Sequence, residues 1–154
     1  MTEEILNRNK NINRGFRKLE VWQEAVALYV FVKEKVRSLD SIPFKIKAQV
    51  EDSIFSVHSN IAEGYCRRSI KESIQFNNIA LGSLGENYSQ IYALFMSKDI
   101  DRVWFDLYDA KHYSLENKLI NYNKSQIQQL KNKSEWRNDY ILKEIIERYG
   151  PDES

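Results

Sequence analysis

A chain of 154 residues, 42% hydrophobic and 29% charged, can bury the core of one domain and is too short for two ordinary ones. Its formal charge of +1 argues against a strongly basic polyanion binder and leaves nucleic acid only a local patch; a single cysteine, Cys66, excludes an intrachain disulfide. No stretch reaches the roughly eighteen uncharged apolar residues of a membrane span, and Glu3 and Glu4 stand where a signal peptide needs none, so the expected location is the cytoplasm with no membrane partner.

Two prolines and five glycines favour long helices. Residues 1–15 interleave Asn7, Asn9, Asn11 and Asn13 with Arg8, Lys10 and Arg14, the composition of a flexible lead-in, with Phe16 docking where order begins. From Trp22 the apolar residues Trp22, Ala25, Tyr29, Val32, Val36 and Leu39 recur at alternating steps of three and four, which predicts a helix, and Val26, Val30 and Phe31 widen its apolar face. Asp40 to Pro43 ends that helix and offers a cap for the next.

Ile46, Val50, Ile54, Val57 and Ile61 make the stripe of a second helix, with Gly64 supplying backbone freedom near its end. Ser69 and Glu72 have capping-box spacing for a third helix marked by Ile70, Ile74, Asn77, Leu81, Leu84, Tyr88, Ile91 and Phe95. On it, Asn77 requires a partner across the bundle or a place at its edge, while Gly82, Ser83 and Gly85 suit either a close helix approach or a kink. Asp101 is a candidate cap for a fourth helix through Trp104, Tyr108, Leu115, Leu119 and Tyr122 to Leu130. Short breaks between four long helices predict an all-α, up-down-up-down four-helix bundle over residues 16–130. In the extension 131–154, residues 139–149 have the pattern of a short additional helix.

No constellation carries catalysis. His58 and His112 lack the paired Glu-x-x-His arrangement of bundle metal sites, so neither a metal nor a cofactor is expected. Cys66 beside Arg67 and Arg68 sits where positive charge favours thiolate, but no base is fixed near it. Arg67, Arg68 and Lys71 around the second turn, with Arg14, Arg17 and Lys18 before the first long helix, form a candidate phosphate-contacting set for RNA or DNA; a solvated turn balanced by Glu63 and Glu72 is the alternative. Val26, Val30, Phe31, Trp104, Phe105 and Tyr108 exceed what one core needs and are candidates for a homo-oligomer interface.

The joint occurrence of Leu19-Glu20-Val21-Trp22-Gln23, Ser59-Asn60-Ile61-Ala62-Glu63-Gly64, Lys71-Glu72 with Phe76, and Ala80-Leu81-Gly82-Ser83-Leu84-Gly85-Glu86 resembles the four-helix bundle proteins encoded in bacterial 23S ribosomal RNA intervening sequences, a family to which the accessory protein of diversity-generating retroelements is related. The resemblance runs from about Phe16 to Leu130. It implies a bacterial, cytoplasmic, non-enzymatic bundle that assembles as a pentamer, with RNA as the leading partner and a protein-interaction scaffold as the alternative. It gives Trp22, Asn60 to Gly64, Ala80 to Leu84 and Glu86 structural roles.

Overall fold

The computed structural model describes residues 3–132, so the helix expected over 139–149 lies outside the described residues. A short α1 (Glu3–Asn7) and a 3-10 helix (Ile12–Lys18) lead into four long helices, α2 (Glu20–Arg37), α3 (Phe44–Cys66), α4 (Ile70–Met96) and α5 (Arg102–Asn132). Each long helix packs on its neighbour in the chain and α5 closes against α2, giving an up-down four-helix bundle. The polar lead-in is itself folded back onto this bundle through the 3-10 helix, which touches α2 and α3.

The stripes position the core with α2 and α4 each rotated: on α4 the buried line is Ser73, Asn77, Ala80, Leu84, Asn87, Ile91 and Leu94, so Leu81, Tyr88 and Phe95 flank it. On α3, Val50, Ile54, Val57 and Ile61 are buried as their spacing predicts. On α2 the buried line is Val21, Ala25, Leu28, Val32 and Val36, so Trp22, Tyr29 and Leu39 pack along its edges. That places the smaller side chains at the crowded centre and the rings where one side faces water. The N-cap of α4 is as predicted, with the Ser69 hydroxyl accepting from the Glu72 N–H at 3.3 Å, and Asp101 Oδ1 accepts from the Trp104 N–H at 2.9 Å. Asp40 and Ser41 do not cap α3. Its N-cap is Pro43 without a side-chain bond, and the Ser41 hydroxyl donates instead to Asp99 across the end of the bundle at 3.0 Å.

Two glycine readings change. Gly64 lies inside α3 with no positive φ, and the left-handed residue of the following turn is Arg68, at φ 59°. A Cβ on Gly64 would come within 2.8 Å of Phe76 Cβ and 3.3 Å of Ser73 Cα, so what the position requires is close approach of α4. Gly82 and Gly85 are the reverse: a Cβ at either meets nothing within 4 Å, and both face outward from α4. Among the described residues, no helix approaches them.

The interior is polar at two levels. Asn87 links three helices, accepting from the Tyr108 hydroxyl at 2.7 Å and donating to Ser53 at 3.0 Å and to the Val50 carbonyl at 3.3 Å. Nearer the α3–α4 turn, Asn77 bonds across the bundle through its Nδ2, donating to Gln126 at 2.9 Å and Asn123 at 3.3 Å, while its Oδ1 is buried without a partner among the described residues. Gln126 also exchanges hydrogen bonds with Ser73.

Candidate nucleic-acid interface

The turn that joins α3 to α4 is only three residues long, Arg67 to Ser69. A left-handed arginine costs roughly 1 kcal/mol, so the conformation needs compensation. Arg68 finds it in two directions, with its guanidinium 4.7 Å over the Tyr65 ring and Nη2 donating to the Ile12 carbonyl. The lead-in is held at further points. Cys66 Sγ donates to the Asn13 carbonyl at 3.2 Å, Phe16 packs edge-on against Trp22 and Tyr65, and Gly15 lies so close to Tyr65 that a Cβ would fall 2.7 Å from its Cζ. Arg17 gathers the backbone before it, donating to the carbonyls of Ile5 at 3.1 Å, Arg8 at 2.8 Å and Asn9 at 3.3 Å.

Two basic sequences far apart in the chain therefore meet at one end of the bundle. Their members do different work. Arg17 and Arg68 are half-buried and fasten the 3-10 helix in place, and the Arg17 Nε is buried without a hydrogen-bond partner. Arg67 is exposed, but it pairs with Glu63 at 2.8 Å and lies over Phe76; the Glu63 carboxylate raises its pKa. Arg14 is exposed and gives one Nη to the Asn9 carbonyl at 3.2 Å. Lys18 and Lys71 are exposed and form no ion pair among the described residues. Sequence reasoning missed Tyr65 and Lys10 in this assembly, and the signal was Gly15-Phe16, a small residue and a ring inside a polar stretch.

The residues singled out for family resemblance form a seam. Asn60 Nδ2 donates to the Ser56 carbonyl and hydroxyl, each at 2.8 Å, and Ser83 reaches the same Ser56 hydroxyl at 3.1 Å, so the α3 and α4 motifs join through one serine. Ile61, Ala80 and Leu84 are core, Trp22 and Leu81 pack against it, and Glu86 accepts from Gln90 on its own helix. The interface candidates divide. Phe105 and Tyr108 are 8% and 0% exposed, so as oligomer-contact residues they are corrected: both belong to this chain's own core. Phe31 and Trp104 stack on each other at 5.0 Å across α2 and α5, with the Lys111 ammonium 5.2 Å from the Phe31 ring centre and that of Lys35 5.9 Å from the Trp104 ring centre. Val30 remains 44% exposed and Val26 half-buried. The larger apolar surfaces are elsewhere, at Val103 and Leu107 one turn apart on α5 and at Tyr92 and Met96 one turn apart on α4.

The two histidines are absorbed by packing. His112 Nε2 donates to the Leu84 carbonyl at 2.8 Å inside the core, and His58 lies edge-on to Phe55 and Tyr29, where burial lowers its pKa. Among the described residues, no group of three or more His, Cys, Asp or Glu side chains is placed to hold a metal ion, and no helix is long and apolar enough to cross a membrane.

No curated protein and no solved structure matches the chain. A family model does: that of the 23S rRNA-intervening sequence protein matches residues 17–121, from the 3-10 helix into α5.

Proposed function

Since this chain belongs to the 23S rRNA-intervening sequence protein family, we propose that it is a non-enzymatic, bacterial, cytoplasmic bundle that assembles with copies of itself and binds RNA at the end where α3 turns into α4. The observation that carries this reading is the docking of the 3-10 helix on that turn. It brings the segment of Arg14 and Lys18 to the turn of Arg67 and Lys71, each of the four being exposed, although the chain as a whole is nearly neutral. Exposed cations of this kind contact phosphates without reading sequence, and a ring of subunits repeats the patch so that weak contacts add. A pentamer is the assembly that the resemblance implies. The relation to retroelement accessory proteins is part of the same proposal and assigns no reverse-transcriptase partner.

The second reading is a protein-interaction scaffold. It is favoured by Val103, 74% exposed, with Leu107 beside it, and by the pairing of Arg67 with Glu63, which reduces the charge of the turn. One experiment separates the two: salt-dependent binding of the full chain to structured RNA, with light-scattering mass measured on the same sample. Under the RNA reading, Lys18→Glu with Lys71→Glu weakens binding and lowers the slope of log K against log salt by about 0.7 for each lost contact, while the mass stays unchanged. An oligomer that binds no RNA at low salt leaves the scaffold reading standing.

A further inference from the structure

Between the lead-in and α3 there is a cavity of about 290 Å³, with Lys10, Arg14, Gly15, Arg17, Lys18 and Tyr65 in its wall. Four of these residues are cationic and none of the lining residues is acidic. In a chain with 23 basic and 22 acidic side chains, this is a local segregation of positive charge within one concave site. Its walls are fixed. Gly15 lacks the side chain that would displace the Tyr65 ring, Arg68 covers that ring, and Arg17 is immobilised by three carbonyls with its Nε already shielded from water. Arg14 has one Nη bonded to the Asn9 carbonyl, and among the described residues no other hydrogen bond holds its guanidinium.

From this geometry we propose that the cavity binds a terminal phosphomonoester, that of a nucleotide or of an oligonucleotide end. Its volume is at the lower edge of ligand pockets, which run from about 300 Å³, so it takes a phosphate with its sugar and not a dinucleotide. Charge selects the monoester. A monoester carries close to two negative charges above its second pKa of about 6, whereas an internal diester carries one, and the Lys10, Arg14 and Lys18 cations of the wall favour the dianion, with Arg17, its Nη groups committed to carbonyls, adding charge. The proposal deepens the RNA reading and rests on it for the source of the ligand.

The test compares binding to the full chain of one RNA carrying either a 5′-phosphate or a 5′-hydroxyl, alongside AMP and adenosine. A preference of about tenfold for the phosphorylated member of each pair is expected, shrinking as pH drops below about 6, where the monoester loses one of its two charges. Arg14→Gln with Lys18→Gln abolishes the preference while leaving the helical circular-dichroism spectrum intact. Lys10→Gln, in an exposed stretch, gives a smaller loss in the same direction. Equal, salt-sensitive binding of both RNAs overturns the cavity proposal and leaves the RNA-binding face standing. Preference for AMP with no RNA binding keeps the cavity, makes a free nucleotide its ligand and removes the RNA reading. If no probe binds, both readings fall.

Discussion

The seam between α3 and α4 and the seam between α5 and α2 are built from opposite materials. The first is narrow: Gly64 sits against Ser73 and Phe76, Ser56 meets Ser83, and Ser53 meets Asn87 and Gln90. The second is wide and bridged by long side chains, with Phe31 stacked on Trp104, Lys118 reaching both Glu20 and Glu24, and a cavity of about 390 Å³ beside Ala27 and Ala110. Small residues let backbones approach and put short hydroxyls within hydrogen-bond reach of one another. Rings and lysines hold helices that stay apart. The tight seam leads directly into the turn that carries Arg67 and Arg68, so the closely packed part of the bundle is the part that positions the candidate site.

The largest test of this contrast is Gly64→Val. Its added carbons meet the Ser73 backbone and Phe76 Cβ, neither of which can swing away, and a loss of about 3 kcal/mol is expected in chemical denaturation. Gly82→Ala is the internal control. It faces open space, and as a helix-propensity change it stabilises the isolated chain by about 0.5–1 kcal/mol. Equal destabilisation by both would sink the distinction between the two glycines.

Tyr108→Phe comes next. It keeps the ring but deprives the buried Asn87 Oδ1 of its donor, and an unsatisfied buried acceptor costs about 1–3 kcal/mol. The phenol is held neutral, because burial pushes its pKa well above the usual range, so this loss should stay constant between neutral and mildly alkaline pH.

The smallest effect is expected from the wide seam. Lys118→Met removes an exposed bridge, so its loss of stability should be the least of the three and should vanish in high salt. The pH dependence has a definite sign. The hydrogen bond and charge of Lys118 hold the Glu20 pKa below its ordinary value, so this contribution is present above the unfolded carboxylate pKa of about 4.3 and is lost as pH falls through the folded value. Denaturation midpoints measured from pH 7 down to pH 3 should lose that component in Lys118→Met.

Much of the bundle was legible because apolar periodicity records which face of each helix is buried. Val50, Ile54, Val57 and Ile61 were read correctly from spacing alone, as were the caps at Ser69 and Asp101, whereas Ile46, in the first turn of the same stripe, is 38% exposed. The rotation of α2 was not legible, since Trp22 and Tyr29 are as apolar as Val21 and Leu28, and only the space between helices decides which pair takes the centre. Phe105 and Tyr108 read as surplus for the same reason: sequence counts apolar residues but does not measure the volume of the core they fill.

The glycines and arginines show the same limit at the candidate site. Their presence near the turn was plain, yet Gly64 proved to be a helix contact, Arg68 took the left-handed position, and Gly82 and Gly85 faced outward. Sequence determined that the chain makes four amphipathic helices with breaks near residues 40, 68 and 100, because that follows from periodicity and capping within each segment. Only tertiary structure decided that the lead-in carrying Arg14 and Lys18 docks at the turn carrying Arg67, and that Arg17 and Arg68 hold it there. That outcome depends on Tyr65, Gly15 and Phe16 fitting together across some fifty residues of chain, and shape complementarity at such separation leaves no periodic trace in the sequence.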